Sequence, residues 1–309
     1  MYEYTGRFAP SPTGPLHIGS LYTAVATFLD ARANKGKWLL RIEDIDTPRT
    51  RPGAEVSILK SLEAHALHWD GEILHQSNRA EIYAETVRQL QSHGYCFYCK
   101  CSRQQLGQPG EYYPGSCRET QQAPDAAYAI RLKASPPAPS FHDRLLGRQI
   151  LASIPEGLFL DFVIRRKEGI HAYQLAVVVD DIEQGITSIV RGSDILDSTF
   201  RQLYLYHYLK QPVPQYLHIP IITNLQGHKL SKQNLAPAVD NRKATQNLLA
   251  ILQMLRQETP PTESSKSCAD ILTWAIAHWD ISRIPARLAI STSGTGGIDF
   301  AATEPSGSC

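Results

Sequence analysis

Residues 7–20 read RFAPSPTGPLHIGS and connect a short extended run at 4–8 to a helical pattern. Three prolines stiffen this connection, and two glycines allow the backbone to approach a ligand closely. The stretch therefore predicts a β-strand, a rigid turn and an α-helix. The apolar residues at helical spacing are Leu21, Ala24, Val25, Phe28 and Leu29.

His17 falls in the first turn of this predicted helix. Free N–H groups and the positive end of the helix dipole attract anions at such a place. An imidazole there suits a nucleotide triphosphate. The alternative is a structural turn in which His17 only caps the helix, since turn chemistry accounts for most of these residues.

Glu43 follows a predicted buried strand at 38–42, which completes a strand–helix–strand unit. Parallel α/β sheets bind ligands at the carboxyl ends of their strands, so Glu43 is placed to meet an ammonium group. The alternative is a solvated acidic turn.

Two core-packing helices are predicted next, one from Pro52 with Val56, Leu59 and Leu62 inward, and one at 78–93 with Ile82, Val87 and Leu90 inward.

Further along, Arg191 follows a short predicted strand at 186–190, and Ser193 or Asp194 is the expected N-cap of the next helix. An arginine at a strand end can bind a carboxylate with two parallel hydrogen bonds. The alternative is a surface arginine paired with Asp194.

Other predicted strands lie at 128–132, 158–165, 171–181 and 216–222. Further helices are predicted at 241–255 and 268–279, and a disordered tail at 286–309.

Four of the six cysteines, Cys96, Cys99, Cys101 and Cys117, follow the spacing C-x2-C-x-C-x15-C. Thiolates held this close together on turns suit tetrahedral zinc. All four cysteines together would form the simplest zinc site. The alternative is a set of small buried residues that bind no metal.

The composition excludes little. Lys+Arg is 31 and Asp+Glu is 30, so any RNA-binding surface must be local. No apolar run is long enough to span a membrane, and the first residues do not resemble a signal peptide. We expect no membrane partner and a cytoplasmic location.

Two motifs carry a resemblance to a known family. PLHIGS, ending at Ser20, resembles the HIGH motif of class I aminoacyl-tRNA synthetases, with serine in place of the second histidine. RFAPSPTG resembles the glutamate-specific branch of that class, as do HAYQLA and RGSD further on. Far downstream, KLSKQ at 229–233 resembles the KMSKS loop. The two motifs in this order are more specific than either alone.

The resemblance implies an α/β fold, a class I Rossmann-type parallel sheet split by a zinc-containing, acceptor-binding-like insertion and followed by a short helical C-terminal region. The implied boundaries are 1–94 and 158–235 for the catalytic halves, 95–157 for the insertion, 236–285 for the helical region and 286–309 for the tail.

The resemblance also implies residue roles. The glutamate site would comprise Arg7, Phe8, Ala9, Pro10, Ser11, Glu43, Tyr173 and Arg191. ATP, accompanied by Mg²⁺, would be bound by His17, Gly19, Lys229, Ser231 and Lys232, with His17 and Lys232 catalytic. The zinc ligands would be Cys99, Cys101, Tyr113 and Cys117, which leaves Cys96 out.

Within the class, the chain is similar to the glutamyl-queuosine tRNA(Asp) synthetases, because little sequence follows the lysine loop in which an anticodon-reading domain could fold. The implied partners are glutamate, ATP and the queuosine-carrying anticodon arm of tRNA(Asp), with no obligate protein partner. The alternative is a truncated glutamyl-tRNA synthetase that charges the 3′ end of tRNA(Glu). Two other rivals are a nucleotidyltransferase without an RNA partner and a non-catalytic binding module.

Overall fold

The structure, a computed structural model, describes residues 3–46, 50–106, 112–135, 139–224, 226–230, 237–262 and 267–291. Two predicted ATP-site residues, Ser231 and Lys232, lie outside these ranges, as does the tail from 292 onward. Within the described residues, every helix is too short or too polar to cross a lipid bilayer.

Twelve strands and eight α-helices are described. The strands are β1 (Thr5–Phe8), β2 (Lys37–Ile42), β3 (Leu74–His75), β4 (Cys96–Cys99), β5 (Ala129–Leu132), β6 (Ser140–Asp143), β7 (Gly147–Ile150), β8 (Phe162–Arg165), β9 (Ser188–Gly192), β10 (Gln215–Ile219), β11 (Ile221–Thr223) and β12 (Ala289–Ser291). The helices are α1 (Ile18–Ala33), α2 (Ala54–Ala64), α3 (Ala80–Ser92), α4 (Arg103–Leu106), α5 (Tyr173–Glu183), α6 (Leu196–Tyr208), α7 (Ala244–Met254) and α8 (Cys268–Ala277).

The catalytic half is built on parallel strands. β1, β2 and β3 pair in parallel, and β10 pairs in parallel with both β9 and β6. The two groups of strands meet where the N–H of Thr187 donates to the carbonyl oxygen of Thr5 at 2.9 Å. This arrangement confirms the predicted α/β fold with a parallel sheet, and it brings the carboxyl ends of β1, β2 and β9 to one edge.

Helix α1 forms where the sequence predicts it. Its five predicted inward residues are all buried, and they lie in the largest core cluster together with residues of α7 and α8. Gly36 lies just after the helix, and a Cβ there would be 2.4 Å from the carbonyl oxygen of Tyr4. Glycine is therefore required for the chain to turn from α1 into β2 beside the start of β1.

A separate antiparallel sheet, in the order β4-β5-β8, contains the first part of the predicted insertion. Within the predicted extent of 95–157, β6 and β7 lie outside this sheet. β6 pairs with β10 at Asp143 and Tyr216, inside the catalytic sheet. The sequence of β6, SFHD, has a single apolar residue and no apolar run, so it does not have the pattern of a strand in a buried sheet.

The prediction of a strand at 171–181 is wrong, because this segment forms α5. Seven consecutive residues from Leu175 to Asp181 are buried, so the helix is covered on all sides. A fully buried helix and a buried strand both read as continuous apolar runs, and periodicity cannot separate them. The length, greater than that of most strands, was the signal that favoured a helix.

In two helices, one residue that was predicted to face inward is exposed instead. In α2, Ile58 is buried whereas Val56 is 54% exposed, and in α3, Tyr83 is buried whereas Ile82 is 39% exposed. The predicted inward positions Leu62, Val87 and Leu90 are buried.

Three smaller predictions near the C-terminal half also need correction. Pro220, which lacks an N–H, separates the predicted strand 216–222 into β10 and β11. β12 pairs with β11, so the beginning of the predicted tail is ordered. Neither Ser193 nor Asp194 caps the next helix, because both lie inside a short 3₁₀ turn and the N-cap of α6 is Ile195, without a side-chain hydrogen bond.

Candidate active site

A cavity of about 570 Å³ opens at the carboxyl ends of β1, β2 and β9, beside the start of α1. It is bordered by residues from five distant parts of the sequence. Every predicted glutamate-site residue lines it, together with the predicted ATP-site residues that the structure describes. These residues are Arg7, Phe8, Ala9, Pro10, Ser11, His17, Gly19, Glu43, Tyr173, Arg191 and Lys229.

His17 is the N-cap of α1. Its Nδ1 accepts the N–H of Ser20 at 3.3 Å, and the N–H of His17 donates to Oγ of Ser20 at 2.9 Å. The first turn carries no acidic side chain, so the positive end of the helix is not neutralised from within. The two interpretations of His17 are therefore compatible, since it caps the helix and also borders the cavity.

Leu230, the last described residue before 231–236, lies close to this helix start. A Cβ on Gly19 would be 3.2 Å from the ring of His17 and 3.3 Å from the carbonyl oxygen of Leu230. Beyond the loop, the N–H of Val239 donates to the carbonyl oxygen of Leu16 at 2.9 Å. The backbone on both sides of 231–236 is thus held against the start of α1.

Lys229 lies at the mouth of the cavity, where Nζ donates to Oδ2 of Asp194 at 2.5 Å. The alternative pairing of Asp194 with Arg191 is therefore wrong. Lys229 is 43% exposed and Asp194 31% exposed, so solvent screens this pair.

Glu43 is directed into the cavity from the end of β2. Its N–H donates to the carbonyl oxygen of Pro10 at 3.0 Å, which fixes the backbone. The side chain is 9% exposed, and its Oε1 lies 3.6 Å from Nε of Arg41 and has no hydrogen-bond partner among the described residues. Burial raises the pKa of Glu43 to about 7, although Arg41 and Arg7 act to lower it. The solvated acidic turn is therefore excluded.

Asp181, at the end of α5, binds two arginines below the cavity. Its Oδ1 accepts Nε of Arg7 at 3.0 Å and Nη2 of Arg41 at 2.8 Å. Burial alone would raise the pKa of Asp181, but Arg41 and Arg7 lower it below its ordinary value. Sequence reasoning missed this partner of Arg7, although a carboxylate in an apolar run is itself a signal of a buried ion pair.

Arg191 is held differently, by neutral groups. Its Nε donates to Nε2 of His218 at 3.0 Å and its Nη2 to Oγ1 of Thr199 at 2.7 Å. The guanidinium lies 5.1 Å from the ring centroid of Tyr216. The Nη1 atom is buried without a hydrogen-bond partner among the described residues. One nitrogen of a buried cation is thus left for a ligand.

Tyr173 is the first residue of α5 and lies among these charges. Burial and the nearby Glu43 raise its pKa, while Arg191 and Arg7 act to lower it. The cavity therefore places a phenol, a carboxylate and two guanidinium groups around one volume. Such a set can hold a small zwitterion that carries an additional carboxylate.

A second cluster lies in the antiparallel sheet. The Sγ atoms of Cys99, Cys101 and Cys117 all lie within 4.8 Å of one another. The phenol oxygen of Tyr113 is 3.7 Å from Sγ of Cys99 and 3.9 Å from Sγ of Cys101, and it accepts the N–H of Cys117 at 2.8 Å. Ligand atoms around a tetrahedral zinc with Zn–S bonds of about 2.3 Å are roughly 3.8 Å apart, so these four side chains fit the ion.

Cys96 lies outside this cluster. It begins β4 opposite Leu132 and packs in the core formed around α3, α5 and α6. Cys96 and Cys99 are three positions apart on the strand, so their side chains point to opposite faces. Of the two ligand sets considered from the sequence, the described geometry favours the one that includes Tyr113.

The sequence model of the family "tRNA synthetases class I (E and Q), catalytic domain" matches residues 3–270. The glutamyl-Q tRNA(Asp) synthetase of Serratia proteamaculans is 47% identical over 94% of this chain and 94% of its own length. The enzyme of the same name from Pseudomonas fluorescens is 48% identical over 93% of this chain and 96% of its own length.

Among solved structures, the glutamate-tRNA synthetase of Elizabethkingia anophelis superposes with a TM-score of 0.77 at 23% identity, covering 95% of this chain and 69% of that protein. That likeness supports the fold alone. The family match and the relatives nearly half identical along almost their whole length go further, and they show that the chain belongs to the glutamyl-Q tRNA(Asp) synthetase family of class I aminoacyl-tRNA synthetases.

Proposed function

We propose that the chain activates glutamate with ATP and transfers it to the queuosine base at the wobble position of tRNA(Asp), as the name of its relatives indicates. The observation that carries this proposal is a pair of buried, incompletely bonded groups in one cavity. Among the described residues, Oε1 of Glu43 and Nη1 of Arg191 both lack hydrogen-bond partners there. Glutamate supplies the complementary ammonium and carboxylate groups.

Recognition of glutamate follows from the cost of leaving such groups unpaired. Glu43 accepts the ammonium group, and Arg191 donates to a carboxylate. Tyr173 and residues 8–11 close the pocket. Glutamine would leave a buried guanidinium facing a neutral amide, so the site discriminates strongly in favour of glutamate.

Activation is a displacement at the α-phosphorus of ATP. A carboxylate oxygen of glutamate forms the new bond to phosphorus, and the bond to the bridging oxygen breaks, which releases pyrophosphate. Mg²⁺ would accompany ATP and offset the charge of its phosphates. His17 and the first-turn N–H groups of α1 stabilise the charge on the phosphates, together with Lys229 and Lys232. Lys229 exchanges its contact with Asp194 for phosphate in this step.

Transfer consumes the adenylate. A hydroxyl of the queuosine cis-diol attacks the acyl carbon, AMP leaves, and the proton is released to solvent or phosphate. The product is an ester. A wobble base must leave its stack to reach the cavity, which single-stranded anticodon loops allow. The cytoplasm is the proposed location of this reaction.

The cluster of Cys99, Cys101, Tyr113 and Cys117 would hold zinc, with the phenol as the fourth ligand. When bound, the ion would cross-link β4 to the turn that contains Gly115 and so fix the insertion. Gly115 has a φ of 79°, and a Cβ there would lie 2.8 Å from the ring of Phe159, so the tight turn requires glycine. We assign the metal no chemical step.

The test uses labelled glutamate and three RNA substrates. Queuosine-containing tRNA(Asp) should be labelled, the label should be base-labile, and removal of the 3′-terminal nucleotide should leave labelling intact. Queuosine-free tRNA(Asp) should remain unlabelled. Equal labelling of queuosine-free tRNA, or loss of labelling after trimming, would instead favour a glutamyl-tRNA synthetase. Pyrophosphate exchange without labelling of any RNA would indicate a nucleotidyltransferase, and absence of both would indicate a binding module.

A further inference from the structure

Three side chains from different elements lie behind Arg191. Asp143 comes from β6, His218 from β10 and Thr199 from α6, and none of the three is exposed to solvent. Asp143 and Thr199 do not line the cavity, and neither does His218. These residues can therefore act on a ligand only through Arg191.

The hydrogen bonds determine the protonation of His218. A guanidinium has donors and no acceptor, so Nε2 of His218 must be the unprotonated nitrogen that receives Nε–H of Arg191 at 3.0 Å. The proton of the neutral imidazole is then on Nδ1, which donates to Oδ2 of Asp143 at 2.7 Å. A protonated His218 would direct an N–H at an N–H of Arg191.

The carboxylate of Asp143 is itself held by backbone N–H groups. Its Oδ1 accepts the N–H groups of Leu145 and Leu146 at 3.0 and 2.9 Å, and its Oδ2 also accepts the N–H of His218 at 3.0 Å. The turn between β6 and β7 thus holds the carboxylate, the carboxylate orients the imidazole, and the imidazole orients the guanidinium.

We propose that Asp143, His218 and Thr199 form a positioning chain that selects for a carboxylate substrate by holding Arg191 through neutral acceptors. The proposal rests on the proposed glutamate activation. Arg7 shows the contrast, because the carboxylate of Asp181 offsets its charge. Arg191 is held at two of its own nitrogen atoms by uncharged partners. It therefore retains its full positive charge for the ligand at Nη1. Asp143, the first residue of the positioning chain, is fixed in place because β6 pairs with β10 in the catalytic sheet.

Two matched pairs of variants test the proposal by glutamate-dependent ATP–pyrophosphate exchange. His218→Gln retains an acceptor near the position of Nε2, whereas His218→Met has similar length without it. Thr199→Ser retains the hydroxyl, and Thr199→Val removes it at nearly constant shape. The Met and Val variants should raise the KM for glutamate about 10- to 100-fold, the effect of losing a hydrogen bond to a charged group. The Gln and Ser variants should remain near wild type, and the KM for ATP should not change.

Thermal melting of all four variants separates positioning from folding, and the Thr199 pair decides the question if His218→Met does not fold. Equal KM values for glutamate within both matched pairs would overturn the positioning chain while leaving the proposed function intact. Parallel increases in the KM for ATP and for glutamate would also overturn it, since they indicate a general structural role. A wild-type chain that does not exchange pyrophosphate with glutamate would overturn the proposed function itself, and the inference with it.

Discussion

Replacing Glu43 with glutamine should stabilise the folded chain and abolish its binding of glutamate. The carboxylate is buried, and its Oε1 has no hydrogen-bond partner among the described residues. The nearest cation, Arg41, is 3.6 Å away and already donates to Asp181. Ionised Glu43 is therefore costly until a ligand supplies an ammonium group.

The size of the stability gain in Glu43→Gln follows from the raised pKa of Glu43, which is about 7 against an ordinary value of 4.5. Between these values the folded chain keeps a proton that the unfolded chain has lost, so stability falls as pH rises. One pKa unit corresponds to about 1.4 kcal/mol, so ionisation costs about 3 kcal/mol in full. Glu43→Gln removes this cost, and its advantage should be near zero at pH 4 and about 3 kcal/mol at pH 8.

Urea unfolding of the wild type and of Glu43→Gln across this pH range measures the difference. Glu72→Gln is the control, because Glu72 is exposed and its loss should give no such pH-dependent gain. Saturating glutamate should raise the unfolding midpoint of the wild type and leave that of Glu43→Gln unchanged. A variant no more stable than the wild type at pH 8, or a difference independent of pH, would refute the reasoning.

Two other predictions concern the buried network and the metal. Asp181→Asn should destabilise the chain by about 3–5 kcal/mol in urea unfolding at pH 7, because Arg7 and Arg41 lose their carboxylate in the interior; unchanged stability would contradict this. Cys117→Ser should lose the zinc measured by metal analysis, whereas Cys96→Ser should retain it; the reverse result would move the site to the four-cysteine set, and zinc-free wild type would leave the cluster without metal.

The residues predicted for the site line one cavity, and they were recognisable in the sequence because they lie in motifs next to turns. Arg7, His17 and Glu43 each stand at the end of a strand or the start of a helix, where glycines, prolines and charges mark the position. Local chemistry at such places constrains the residue type, and the sheet topology then brings the ends together.

The residues behind the cavity were not predictable in the same way. Asp143 lies in a short half-polar strand, and His218 is one position in a run that reads as ordinary strand. Their pairing joins positions 75 residues apart in sequence. No local periodicity records such a contact. The same limit explains α5, whose burial on all sides hid its helical period and placed Asp181 in a predicted strand.

Glu43→Gln and Asp181→Asn should change the free energy of unfolding in opposite directions. This difference would separate a functional carboxylate from a structural one in the same network. Asp181 accepts hydrogen bonds from two guanidinium groups, so its charge stabilises the fold without a ligand. Glu43, within 3.6 Å of one of the same arginines, has an oxygen that the described residues leave unbonded, so its charge is costly until a ligand binds. Folding alone would favour glutamine at position 43 and aspartate at 181. A carboxylate at 43 is therefore best explained by the ammonium group of the substrate, and Arg191, with one nitrogen that the described residues leave unbonded, is the matching case for the carboxylate.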